Sequence, residues 1–322
     1  MLPGKDELTI GFAHVAYQLQ SRFDARQTGI RSFQVHSLDE LRARIGEVDV
    51  LVVSGLWRND MIEAAPKLRF IQSISAGVDQ YDKGLLAARG VRLASAQGAN
   101  ERAVAEHAMA LILALARRLP EARDHQAKRL WRGMVSDFAR REDELSGKTL
   151  LIVGLGRIGG RLARLAKAFD MTVMGVRRDP RAGHDGADSV HGLGELHALL
   201  PEADVVALTC PLTPETEKLI DARALARMKP SAVLINVARG RVVDEAALIE
   251  ALAAERLAAA GIDVTVEEPL PAESPLWGFE NVLVTPHTAG ETRRYEDNVL
   301  DILLENLDRL RRGETSLRNQ VV

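Results

Sequence analysis

At 322 residues the chain has room for two domains of ordinary size, and 46% hydrophobic with 27% charged residues reads as globular with ample core material. A net charge of −3 gives no basic surplus, which argues against nucleic acid or an anionic membrane surface as partner. One cysteine, Cys210, excludes an intramolecular disulfide framework; with no signal-peptide core in MLPGKDELTIGF and no apolar run near the roughly 20 residues of a membrane span, a cytoplasmic protein is expected.

The first hundred residues alternate short apolar runs, at 8–13, 33–36, 48–53, 69–74 and 91–94, with amphipathic or polar stretches. Several runs end in small residues: SGLW, SAGVD and SAQGAN. Alternation of this kind predicts an α/β, doubly wound parallel sheet whose ligand loops follow the carboxyl ends of the strands. A helix is predicted over 101–119 with Asn100 as N-cap; it is apolar nearly all round, which calls for burial on several sides. The polar stretch 121–146, with Trp131 and Phe138 as isolated anchors, reads as an arm or connector that could cross to a partner chain.

A second strand–helix series begins at Lys148. Strands are expected over 149–153, 172–176, 205–208, 232–237, 259–264 and 282–285, with helices over 157–169, 221–227 and 244–254 between them. Beyond His287 the residues Val299, Ile302, Leu303, Leu307 and Leu310 repeat at helical spacing. This last helix has no later strand to serve, so the simplest arrangement returns it to the first domain. The expected division is therefore 1–100 with 291–322 as a discontinuous substrate-binding domain and 101–290 as a dinucleotide-binding domain.

Gly154-Leu155-Gly156-Arg157-Ile158-Gly159 follows a buried strand and opens an amphipathic helix. In that context the first glycine permits a tight turn, the second lets backbone approach a pyrophosphate, and the third lets helix and strand pack closely. The amides opening the helix would bind phosphate. A merely tight βα turn is the plainer reading of the same glycines. The next strand runs into Arg177 and Arg178, where an acid would select NAD and an arginine accommodates the 2′-phosphate of NADP. NADP is the expectation; NAD, with Asp179 on the ribose, is the alternative.

Three polar residues follow later strands: Arg239 in NVARG, Glu268 in EEPLP and His287 in TPHTAG. Hydride transfer to a ketone leaves charge on oxygen that must be stabilised and protonated, and histidine, with an ordinary pKa of about 6.5, suits that task. Glu268 would hydrogen-bond the imidazole and fix its tautomer, while Arg239 would hold the substrate carboxylate and carbonyl with its planar fork. Singly each has a structural reading; together, beside a phosphate cradle, they form a hydride-transfer set.

GLGRIG, CPLTPETEKLI, NVARG, DVTVEEPLP and TPHTAG, with SAGVD and NERAVAEHAMALILAL upstream, resemble the D-isomer-specific 2-hydroxyacid dehydrogenase family. The resemblance implies a Rossmann cofactor domain and a flavodoxin-like substrate domain with a cleft between them that closes over substrate. It further implies a homodimer and reversible reduction of a small 2-oxo acid to the D-2-hydroxy acid. Position by position, it makes Arg239, Glu268 and His287 the catalytic set and puts Asp263 near the nicotinamide carboxamide. It makes Ser75, Ala76, Gly77 and Val78 the loop that binds the substrate carboxylate. It also assigns Cys210, Pro211, Thr216, Val237, Ala238 and Gly290 to the cofactor side. Two departures are Thr265, where an aromatic residue is usual, and Arg177, where NAD-using relatives carry an acid.

Within the family, Glu268 disfavours a formate-dehydrogenase-like activity, in which glutamine is the expected partner. The end of the chain soon after its last helix disfavours a phosphoglycerate dehydrogenase with an appended regulatory domain. A rival from another class is a non-enzymatic NAD(P)-sensing interaction protein, since transcriptional co-repressors share this fold and even the catalytic residues. The lack of a recruitment extension argues against it. Cys210, in a Thr-Cys-Pro turn, is expected to line a pocket rather than attack. His184, His191 and His197 lack compact ligand spacing, so no metal is expected. Trp57 has two open readings, substrate pocket or ordinary packing.

Overall fold

The computed structural model describes residues 2–322. They form two compact units, one made of the stretch up to Asn100 together with Thr292–Val322, the other of Glu101–Glu291.

The first unit holds β1 (Thr9–Ala13), α1 (Leu19–Asp24), β2 (Arg31–Val35), α2 (Leu38–Arg44), β3 (Val50–Val53), β4 (Phe70–Ser73), α3 (Lys83–Ala88) and β5 (Arg92–Ala94). All its strands pair in parallel, in the order β2-β1-β3-β4-β5. Strands buried on both faces read as continuous apolar runs, and Val50, Leu51, Val52 and Val53 send alternate side chains to opposite cores. On one face Ile10, Phe12, Val50 and Phe70 pack with Val299, Leu300, Leu303 and Leu307 of the C-terminal helix, Tyr295–Arg311. The terminal residues then add an antiparallel edge, Val321 N donating to the Leu93 carbonyl at 2.7 Å. Trp57 is buried among Tyr81, Ile62 and Leu86, its indole N–H on Asn59 Oδ1 at 2.8 Å, so ordinary packing accounts for it.

The second unit begins with α4 (Glu101–Ala116) and α5 (Leu119–Ala127). Its sheet comprises β6 (Thr149–Val153), β7 (Thr172–Val176), β8 (Ser189–His191), β9 (Val205–Leu208), β10 (Val233–Asn236), β11 (Ala259–Ile262) and β12 (Val282–Val284). The order is β12-β11-β10-β9-β6-β7-β8, parallel throughout, so strand order reverses between β6 and β9. Helices α6 (Arg157–Ala168), α7 (Leu196–Leu199), α8 (Ala222–Leu225) and α9 (Glu245–Ala253) cover its faces with α4. Gly261 lets α4 settle onto β11, since a Cβ there would lie 3.1 Å from Leu111 Cβ.

Three local expectations change. The helix predicted over 101–119 stops at Ala116, because Arg118 turns left-handed (φ 51°) and a separate helix, α5, follows. Helix α5 buries no residue and so carries no apolar stripe to read in the sequence. Trp131 and Phe138 are not buried within the chain, being 96% and 82% exposed, and Phe138 meets the Arg141 guanidinium, 4.3 Å over its ring. Strand β8 was not anticipated; it is three half-buried residues at a sheet edge, too short for a periodic signal.

A buried polar clasp ties the first unit together. Asn306 Nδ2 donates to Gln72 Oε1 and to the Arg318 carbonyl, both at 3.1 Å, while its Oδ1 accepts from Arg318 N at 2.7 Å. Asn306→Leu strands those partners in a dry interior and should destabilise the protein by about 1–3 kcal/mol. An unchanged urea midpoint for this variant would contradict the assignment.

Candidate active site

Each functional candidate of the second unit leaves the carboxyl end of a strand in one parallel sheet. Gly154 follows β6, Arg177 follows β7, and Cys210 lies just past β9. Arg239 lies past β10, Asp263 follows β11, and His287 lies just past β12.

The candidate phosphate cradle is built by glycine. Gly154 has φ +105°, and a Cβ there would fall 2.4 Å from Cys210 N; a Cβ on Gly159 would fall 2.6 Å from the Gly154 carbonyl oxygen. Both turns therefore close only without side chains. A Cβ on Gly156, by contrast, would meet nothing nearer than 4.0 Å, so that face is open. Helices α2, α3, α8 and α9 cap their own amides with Ser37, Asp82, Asp221 and Asp244. Helix α6 starts from Gly156 with no side-chain cap, and the amides of Arg157, Ile158 and Gly159 donate to no acceptor among the described residues. Open space facing unpaired N–H groups at a helix start fits a pyrophosphate. The Leu155 side chain is buried beneath this turn against Gly175.

At the end of β7, Arg177 Nη1 bonds Asp185 Oδ2 at 2.8 Å and the Gly183 carbonyl at 3.1 Å. Asp179 accepts from the amide and Nε of Arg181 at 3.1 Å each. Arg178 is exposed and donates no hydrogen bond among the described residues. Past β9, the Thr216 hydroxyl donates to the Pro211 carbonyl at 2.6 Å and accepts from Thr213 N at 2.8 Å. It therefore shapes its own loop and has no spare proton for a ligand. Burial pushes the Cys210 thiol up to about 11, which keeps it neutral near pH 7 and leaves a small lining group rather than a nucleophile. Ala238 is buried in the same apolar core as Cys210, whereas Val237 is buried in the core that packs against α4 and α6.

Past β10, Asn236 folds the NVARG turn: its Oδ1 accepts from Ala238 N at 3.0 Å and its Nδ2 donates to the Arg239 carbonyl at 3.1 Å. Arg239 Nη1 donates to the Ala238 carbonyl at 2.7 Å, whereas Nε and Nη2 have no acceptor among the described residues. Gly240 presses this turn onto the next one, since a Cβ would lie 2.0 Å from the Thr265 carbonyl. There Thr265 N donates to Glu268 Oε1 at 3.1 Å, and the Thr265 hydroxyl donates to the Glu267 carbonyl at 2.7 Å. Glu268 Oε2 lies 2.7 Å from His287 Nδ1. A carboxylate can only accept, so Nδ1 carries the proton and Nε2 is left without a protein partner among the described residues. His287 itself is left-handed (φ 54°), its N–H held by the Asp263 carbonyl at 2.8 Å. The buried Asp263 carboxylate accepts from Thr288 N at 3.0 Å and Ala289 N at 3.1 Å, just before Gly290.

In the first unit, Ser75–Val78 follows β4. Ser75 Oγ meets Ser54 Oγ at 2.6 Å, and its carbonyl accepts from Ala96 N at 3.0 Å. The Tyr295 hydroxyl donates to the Ile74 carbonyl. The amides of Ala76, Gly77 and Val78 donate to no acceptor among the described residues.

Residues 109–289 match the sequence profile described as D-isomer specific 2-hydroxyacid dehydrogenase, NAD binding domain. A glyoxylate reductase from Korarchaeum cryptofilum is 37% identical over 268 residues, covering 82% of this chain and 80% of that one. The chain belongs to the D-isomer specific 2-hydroxyacid dehydrogenase family. A D-3-phosphoglycerate dehydrogenase from Methanocaldococcus jannaschii is 38% identical over 280 residues; 86% of this chain is covered, but only about half, 52%, of that protein. The solved NADPH-dependent glyoxylate/hydroxypyruvate reductase from Sinorhizobium meliloti, in complex with NADP and malonate, superposes with a TM-score of 0.80. It is 27% identical, and the match covers 98% of this chain and 97% of that one.

This member of the D-2-hydroxyacid dehydrogenases is thus a two-domain α/β oxidoreductase that uses a nicotinamide cofactor. Its His184 and His197 lie exposed, and His191 bonds Glu195 and Ser189. Among the described residues, no helix is long and apolar enough to cross a membrane. Sequence reading passed over Asn236 and regarded Thr265 only as a departure from the family pattern. Both act through short polar bonds to backbone or a neighbouring carboxylate, which leave no periodic trace.

Proposed function

We propose that this protein reversibly reduces a small 2-oxo acid to the D-2-hydroxy acid, with NADP(H) as preferred cofactor. The observation that carries the reading is the His287–Glu268 pair, in which one ring nitrogen is fixed at 2.7 Å and the other left open. The cofactor supplies the hydride. Arg239 offers two unengaged guanidinium positions, which suit the carboxylate and carbonyl oxygens of a 2-oxo acid. The free amides of Ala76, Gly77 and Val78 are suited to binding a carboxylate. Entering the step with both ring nitrogens protonated, His287 gives the Nε2 proton to the oxygen that the hydride leaves negative and keeps its Nδ1–H donating to Glu268, which stabilises the ring throughout. In the reverse direction the same nitrogen takes the hydroxyl proton. Asp263 holds the nicotinamide carboxamide.

The names of the relatives support glyoxylate and hydroxypyruvate as substrates. Consumption of NADPH and NADH should therefore be followed with glyoxylate, hydroxypyruvate, pyruvate and longer 2-oxo acids; inactivity on the whole panel overturns the reading. Loss of the proton donor in His287→Ala should cut kcat by about 10²–10⁴ while dinucleotide binding persists. Arg239→Lys, which replaces a fork by a point charge, should raise KM and lower kcat together.

For the cofactor, the pairing of Asp179 with Arg181 leaves Arg178 as the cation open to a 2′-phosphate, with Arg177 braced behind it by Asp185. Removing one charge-assisted bond in Arg178→Ala should lower the NADPH-to-NADH ratio of kcat/KM by about tenfold or more. A ratio that does not move assigns selectivity elsewhere.

The reading extends to a cytoplasmic homodimer. Leu119, Leu130, Trp131, Met134 and Phe138 are all exposed, which supports a second copy as their cover. Light scattering should give twice the chain mass for the wild type and a shift towards monomer for Trp131→Asp with Met134→Asp.

A further inference from the structure

His107 lies on α4, far in sequence from the reacting groups, and its Nε2 is 2.9 Å from Thr285 Oγ1. The Thr285 hydroxyl is in turn 2.6 Å from Asp263 Oδ1. The directions of these bonds follow from counting protons. Asp263 as a carboxylate only accepts, so the single Thr285 hydroxyl proton goes to Oδ1. The threonine oxygen can then only accept from His107, which must carry its proton on Nε2. A one-way chain runs from His107 Nε2–H to Thr285 Oγ–H to Asp263 Oδ1.

The chain decides which lone pairs of Asp263 remain. Oδ1 receives Thr285 Oγ1, Thr288 N at 3.0 Å and Ala289 N at 3.3 Å, and so is saturated. Oδ2 receives Ala289 N alone, at 3.1 Å, and keeps room for one further donor. Without the Thr285 proton the carboxylate could rotate and share its two oxygens differently between the loop amides and any ligand. We infer that His107 and Thr285 are positioning residues that hold Asp263 with Oδ2 aimed at the amide of the nicotinamide carboxamide, thereby setting the ring that delivers the hydride. The inference rests on the proposed role of Asp263 at the nicotinamide. It adds the chain that orients it.

A positioning role has a signature that general loosening of the fold lacks. Thr285→Val and His107→Leu should weaken binding of NADPH and NADH by about tenfold, the size expected for losing one hydrogen bond to a charged group. Binding of 2′-phospho-ADP-ribose and ADP-ribose, which present the same pyrophosphate and ribose but no nicotinamide, should change less than about twofold, since their phosphate contacts at the α6 start are untouched. Thr285→Ser and His107→Gln, which keep a hydroxyl and an N–H donor at similar reach, should restore dinucleotide affinity. Equal loss for both ligand classes would mean that the bonds merely hold the fold, and no loss for either would mean that they do not set Asp263; both outcomes overturn the inference. Should the serine and glutamine variants bind as weakly as the valine and leucine ones, the hydrogen-bond chain is likewise refuted. A wild-type protein that binds neither dinucleotide would instead overturn the functional reading itself.

Discussion

A common strand direction is the constraint on which the site depends. In the seven-stranded sheet every pairing is parallel, so each strand delivers its next residues to the same edge. Both faces are covered by helices and apolar side chains, which leaves no place for charged groups inside. Polar chemistry is therefore confined to that edge. The order reversal between β6 and β9 opens a crevice there, with the glycine turn on one side and the Arg239, Asp263 and His287 loops on the strands beyond.

The His287 loop illustrates how a costly backbone conformation is held. A left-handed non-glycine residue costs on the order of 1–3 kcal/mol and persists only where its surroundings over-determine it. Here the Asp263 backbone takes the His287 amide, the Asp263 side chain takes the next two amides, and Thr285 and His107 fix that side chain. The imidazole is thus aimed by its own backbone, and Glu268 has only to fix its proton. Glu268 is in turn placed by the Thr265 amide, on a turn that Gly240 allows to approach the Arg239 loop.

Charge pairing refines the end of β7, the candidate cofactor edge, in the same manner. Two arginines in succession at the end of β7 look equivalent as letters, yet one is braced by Asp185 and the other stands exposed. The neighbouring acid that could have taken a ribose is engaged by Arg181 and caps a short helical turn. On the proposed reading, selectivity between phosphate and hydroxyl at this edge depends on which groups are already satisfied, and the count of charges alone does not decide it.

The sequence by itself determined the parallel architecture, the strand ends and the polar residues that leave them. Apolar runs such as 149–153 and 205–208 and turn glycines such as Gly154 and Gly159 report local physics directly. It also singled out His287 and Glu268, because their loops interrupt apolar runs. What only the tertiary structure decided is the direction and saturation of the hydrogen bonds: the open Nε2 of His287, the pairing of Asp179 with Arg181, the spent hydroxyl of Thr216, and the link from His107 through Thr285 to Asp263. Those bonds join residues from 2 to 178 positions apart, and several depend on which neighbour takes a single proton. Periodicity carries information about which face a side chain occupies; it carries none about which lone pair remains free.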